Sequence, residues 1–263
     1  MRKNAVFVAV VAMLSGLAAV SAWGQDLQKN YPLADGGRIS IASVSGDISV
    51  TGYNGTTVQV SAYREGRDAN AVEIIDESSG NSVVFRVQYP REGSYDASVR
   101  FAVQVPQHSR YQFNSLTTAS GDIEVTGVAG DLNAKTASGD LTISQVEGTV
   151  NVSTASGDVR VLDVAGLVSA RTASGDVEAT LTRVEGSGQL SFSSASGDVT
   201  VTVPAQISAD VEMSTASGSA NSDFPLTVDD REGHGRRLFG RIGSGAIPLK
   251  ISTASGKVRL VRS

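Results

Sequence analysis

One stretch of the chain repeats with a fixed step. From Thr118 to Ser174 it reads TASGDIEVTGVAGDLNAK, TASGDLTISQVEGTVNVS and TASGDVRVLDVAGLVSAR, and TASGD then returns. Gly121, Gly139, Gly157 and Gly175 therefore stand 18 residues apart without a slip. A short fixed period marks a repeat architecture, in which each unit buries its apolar face only against its neighbours.

Each copy splits into two nine-residue halves on one template: glycine, x, apolar, x, apolar, x, x, apolar, x. In the middle copy the apolar places are Leu141, Ile143 and Val146, then Val150, Val152 and Ala155. Alternation is the strand period. Each half reads as one short strand and one tight turn, with the leading glycine in a turn that a Cβ would forbid. Stacked copies make an all-β fold, a parallel β-solenoid of the β-helix or β-roll kind. It has about 18 residues per coil and about eight coils, each adding roughly 4.8 Å to the stack. An antiparallel sandwich also uses short alternating strands, but gives no reason to keep the period. Stacking is expected to put a Val/Ile/Leu ladder inside, with Ala137, Ala155 and Ala173, and Thr and Ser ladders outside. The narrow interior agrees with a chain only 5% aromatic.

The opening MRKNAVFVAVVAMLSGLAAVSAWGQ has a basic start, an apolar run and small residues at its end. That is the grammar of a signal peptide over residues 1–24; an uncleaved anchor is the alternative. With no cysteine there is no disulfide framework and no lipid-attachment cysteine. No second apolar run of spanning length follows. The expected product is exported to the periplasm, cell envelope or medium. Loss of Arg2 and Lys3 takes the formal charge from −5 to −7. An acidic body argues against nucleic acid as a partner.

Residues 25–115 read as an N-terminal coil plus a cap. Ser45-Gly46-Asp47-Ile48 repeats the later turn, so one early coil stands apart from the rest. Ala71–Asp76, Ser82–Tyr89 and Ser98–Val105 look like longer strands split by turn clusters, an antiparallel β insert of the hairpin kind. Residues 116–263 hold the repeats. Past Ser174 the coils lengthen, and a loop over 220–246 precedes a terminal cap. Ser219 and Lys257 stand where the other turns carry Asp.

Ser-Gly-Asp-aliphatic-x-Val turns, and the ending Ile247-Pro248-Leu249-Lys250-Ile251-Ser252-Thr253-Ala254-Ser255-Gly256, carry a resemblance across residues 38–261. The chain resembles a bacterial family of β-strand-repeat proteins named as candidate adhesins, a domain of unknown function. The resemblance implies an envelope or secreted β-solenoid. It implies no ligand and no catalytic residue. The insert over 65–115 is the main departure.

Candidate chemistry is sparse. Asp47, Asp122, Asp140, Asp158, Asp176 and Asp198 would stack as a ladder. Calcium could hold such carboxylates, but calcium β-rolls carry Asp and two glycines in both halves. Turn bonds to backbone N–H groups are the plainer role. A serine nucleophile needs a base, and only His108 and His234 exist. Glu124, Arg160 and Glu178 fall on one face, as a carbohydrate-active β-helix enzyme would need, yet aromatics for stacking sugars are few. No catalytic, metal or cofactor site is assigned. Arg231, Arg236, Arg237 and Arg241 form a basic cluster. It either binds an anionic envelope component or neutralises the acidic last coils. The reading is a non-enzymatic, adhesin-like scaffold or binding protein for an unidentified envelope or extracellular ligand, such as a glycan. Its alternatives are the carbohydrate-active enzyme and a calcium-stabilised repeat.

Overall fold

The computed structural model describes residues 26–230 and 235–263. Residues 1–24, read above as a signal peptide, lie outside the described residues, as do Arg231 and His234.

The strands run in chain order as follows. β1 is Leu27–Tyr31, and β2 (Arg38–Ala42) and β3 (Ile48–Tyr53) make the early coil. β4 (Val58–Glu65), β5 (Glu73–Asp76), β6 (Ser82–Gln88) and β7 (Ser98–Pro106) fill the insert. β8 (Arg110–Ser120) and β9 (Ile123–Ser138) lead into the regular repeats: β10 (Leu141–Glu147), β11 (Val150–Ser156), β12 (Val159–Ala165), β13 (Val168–Ser174) and β14 (Val177–Arg183). β15 (Leu190–Ser196), β16 (Val199–Val203), β17 (Ala209–Ser217) and β18 (Ala220–Ser222) follow, then β19 (Thr227–Asp230), β20 (Arg236–Ile242), β21 (Ile247–Ser255) and β22 (Val258–Arg262).

These strands form the two walls of a parallel solenoid. Along one wall the order is β1, β4, β7, β3, the first part of β9, then β10, β12, β14, β16, β22 and β18. Along the other it is β5, β6, β2, β8, the second part of β9, then β11, β13, β15, β21, β17, β20 and β19. β9 turns the corner between the walls, so all 22 strands hydrogen-bond as one sheet. The 18-residue step is visible in the register: Leu141 lies beside Ile123 and Val159, and Val150 beside Leu132 and Val168.

The core is the space between the walls. Ile48, Ile123, Leu141, Val159, Val177, Val199 and Val258 stack in register along one wall and are almost wholly buried. Full burial of each such side chain stabilises by about 1.5–3 kcal/mol, and repetition fills the interior without large residues. At the N-terminal end the interior also holds aromatics: Phe85 and Phe101 sit 6.0 Å apart between ring centres.

The structure corrects one expectation. The threonines of the repeat are inside: Thr118, Thr136, Thr154 and Thr172 are buried, and Ala137, Ala155 and Ala173 are exposed. Alternation from Leu132 through Ala134 places residue 136, not 137, on the inner side. The hydroxyl is tolerated there because it is hydrogen-bonded.

The two ends depart from chain order. β21 pairs with β15 on one side and β17 on the other, and β22 lies between β16 and β18. The last coil in sequence is therefore wedged between the two before it. The early coil is wedged likewise, with β6 and β7 on one side and β8 and β9 on the other. The antiparallel insert is present in the pairings β1–β4, β4–β7 and β5–β6. Yet β6 and β7 also run parallel to β2 and β3, on opposite walls, and so add a coil. Among the described residues nine two-strand coils stack, one more than the sequence suggested.

Candidate functional site

The TASGD corner is the structural spine, and its threonine, glycine and aspartate each have a task toward the neighbouring coil. Thr154 Oγ1 donates to the Gly139 carbonyl at 3.1 Å, as Thr136 does to Gly121 and Thr172 to Gly157. Gly157 has φ of +139°, and a Cβ there would overlap the Gly139 carbonyl oxygen and lie 2.6 Å from its carbon. Only glycine fits. The Asp140 carboxylate accepts the backbone N–H of Asp158, and the same bond joins Asp47 to Asp122, Asp122 to Asp140, Asp158 to Asp176, and Asp176 to Asp198. The aspartates thus serve turn backbone, the plainer of the two sequence readings. Asp198 accepts from the N–H of Lys257. Lys257 and Ser219 occupy the last two coils in space, where the carboxylate ladder stops. Among the described residues no group of three or more His, Cys, Asp or Glu side chains is placed to hold a metal ion.

The outward positions make flat rows. Glu124, Thr142, Arg160, Glu178, Thr200 and Arg259 lie side by side across six strands. Arg160 reaches Asp158 at 2.8 Å and Asp140 at 3.6 Å, which offsets repulsion along the ladder. Glu124 and Glu178 are three strand spacings apart, roughly 14 Å. Paired glycosidase carboxyls stand about 5–9.5 Å apart, so this row does not provide that pair. His108 is exposed in the turn between β7 and β8.

The basic cluster resolves into one strand. Arg236, Arg237 and Arg241 all sit on β20, antiparallel to β17. Arg241 falls opposite Asp210, and Arg237 opposite Asp229 of β19. Arg237 also binds Glu212 at 2.9 Å. The strand lies against the acidic residues Asp210 and Glu212 of β17.

Sequence reasoning missed what β20 does beside β17 and β21. A shallow groove of about 410 Å3 opens there, lined by Gln189, Asp210, Glu212, Arg237, Phe239 and Lys250. Phe239, Glu212 and Lys250 occupy one row on three adjacent strands. No sequence signal joins them, because the row exists only with β21 wedged beside β17.

With this geometry in hand, comparison places the chain. The family model described as Toastrack DUF4097 matches residues 27–261. The chain belongs to the Toastrack DUF4097 family. That span takes in every coil of the Toastrack stack, the N-terminal insert included. Two solved structures are similar. One is a candidate cell adhesion protein from Clostridium sporogenes ATCC 15579, with 12% identity, TM-score 0.41, and 90% of this chain and 99% of that chain covered. The other is a candidate adhesin from Bacteroides fragilis NCTC 9343, with 12% identity, TM-score 0.33, and 90% and 96% covered. No curated protein matches this Toastrack chain.

Proposed function

We propose that this Toastrack protein is an exported, non-enzymatic scaffold whose flat outer walls bind an envelope or extracellular ligand. The observation that carries the reading is the six-strand row from Glu124 to Arg259, an extended polar surface held rigid by the corner spine. A polymer lying along the stack meets a polar side chain at each strand spacing, with acid, threonine and arginine in turn. The leader-like residues 1–24 support export. Arg236, Arg237 and Arg241 belong to the binding surface as partners of acidic groups on either side of the contact.

One observation favours a second reading. Asp210 and Glu212 share a groove with an exposed aromatic, as a carbohydrate-active enzyme would arrange them. Glu212 is committed to Arg237, which favours binding over proton transfer.

The test is to express the full chain in a bacterium, fractionate the cells and sequence the N-terminus. A chain beginning near residue 25, outside the cytoplasm and retained on isolated envelope, supports the proposal. An intact N-terminus in the cytosol, with no retention on envelope, overturns it.

A further inference from the structure

Phe239 lies outside the buried core. The other phenylalanines among the described residues (Phe85, Phe101, Phe113, Phe192 and Phe224) are buried, whereas Phe239 is 43% exposed. It stands on an outer wall at the edge of the groove. Beside it in the same row are Glu212 and then Lys250, a span of two strand spacings, roughly 10 Å. The groove volume of about 410 Å3 falls within the usual range of about 300–1,000 Å3 for small-ligand sites.

The charges of the lining choose the ligand. Asp210 and Glu212 balance Arg237 and Lys250, and the Arg237–Glu212 pair already neutralises half of them. A polyanion would meet two carboxylates, and a polycation two cations. A neutral polyhydroxyl compound meets donors and acceptors in equal supply, with the Gln189 amide offering both. The aromatic face carries negative potential and attracts the C–H face of a sugar ring. We infer that this groove is a subsite for one or two rings of a neutral glycan, with Phe239 as the stacking platform and Asp210, Glu212, Arg237, Lys250 and Gln189 bonding the hydroxyls. The inference rests on the reading of the outer walls as binding surfaces, and it names the ligand class for one of them.

The experiment uses the chain from residue 25 onward, as it would stand after removal of the leader. It is titrated with soluble β-1,4-linked oligomers of glucose and of N-acetylglucosamine, and with oligogalacturonate as the acidic counterpart. Neutral oligomers are expected to bind. Phe239→Ala should weaken them at least tenfold with an unchanged melting temperature, and Phe239→Tyr should restore binding. Equal binding by Phe239→Ala, or preference for the acidic oligomer, overturns the subsite and leaves the wider proposal standing. So does retention on isolated envelope without binding of any oligomer. Failure of both envelope retention and oligomer binding overturns the two together. Shorter oligomers appearing during the titration would overturn binding without cleavage.

Discussion

The Asp140 carboxylate accepts the backbone N–H of Asp158 from the next coil at 2.8 Å. An interaction between two acidic residues is thereby attractive, because one contributes its side chain and the other its main chain. Asp140→Ala should destabilise by about 1 kcal/mol, the usual worth of such a bond. Asp140→Asn keeps an acceptor oxygen and should cost less. Urea unfolding of the three proteins makes the comparison. The same assignment predicts that a chelator and millimolar calcium leave the melting temperature unchanged, since native-state binding would have to raise it.

Gly157→Ala should be far more damaging. The added Cβ meets the backbone of Gly139 and also requires a left-handed conformation, so a loss of about 3 kcal/mol or more is expected. Gly80 is the control. It also has positive φ, but nothing lies within 4 Å of where a Cβ would stand, and Gly80→Ala should cost only about 1–2 kcal/mol. Thermal melts of the pair separate packing from conformation.

Thr154→Val tests which way the repeat faces. With the hydroxyl buried and bonded to Gly139 and Ser156, its removal should cost about 1 kcal/mol. A threonine on the outer wall would tolerate valine with almost no change in unfolding midpoint.

The period and the two-strand coil were legible because they depend on spacing alone. The inward threonine was legible too, from the alternation Leu132, Ala134, Thr136, but its polarity argued the other way. What the sequence hides is neighbour order. Corner after corner carries a Thr-x-Ser-Gly set, with Ser43 and Ser194 in the threonine place at two of them, so any of these coils can stack on any other, and the motif does not say that β21 enters beside β17. The extra coil of β6 and β7 was obscured because Pro90–Ser94 replaces the Ser-Gly-Asp corner. Phe239, Glu212 and Lys250 share a row for tertiary reasons only.

The N-terminal strand should be sensitive to pH at both extremes. Asp76 takes hydrogen bonds from Tyr31 at 2.7 Å and Lys29 at 2.6 Å. Burial alone would raise its pKa, but the bonds from Lys29, Ser78 and Tyr31 hold the carboxyl well below the usual range. Its contribution is therefore complete above about pH 4 and lost as pH falls below that. Burial, with the Asp76 bond, pushes Tyr31 up to about 12. That contribution is complete below about pH 10 and lost as pH rises toward 12. Melting curves should show Asp76→Asn flattening the acid limb and Tyr31→Phe the alkaline one.

The order of the last coils underlies both the stack and the groove, and cross-linking in this cysteine-free chain tests it directly. Ser193, Ser252 and Ser214 occupy one outer row, in that order. Adjacent strands are roughly 4.8 Å apart, within the Cα range of about 4.4–6.8 Å for a disulfide. Ser193→Cys with Ser252→Cys should oxidise to a disulfide, as should Ser252→Cys with Ser214→Cys. Ser193→Cys with Ser214→Cys, two spacings apart, should not. A disulfide between positions 193 and 214, with none between 193 and 252, would mean that the coils stack in chain order, and would remove the groove with the stack.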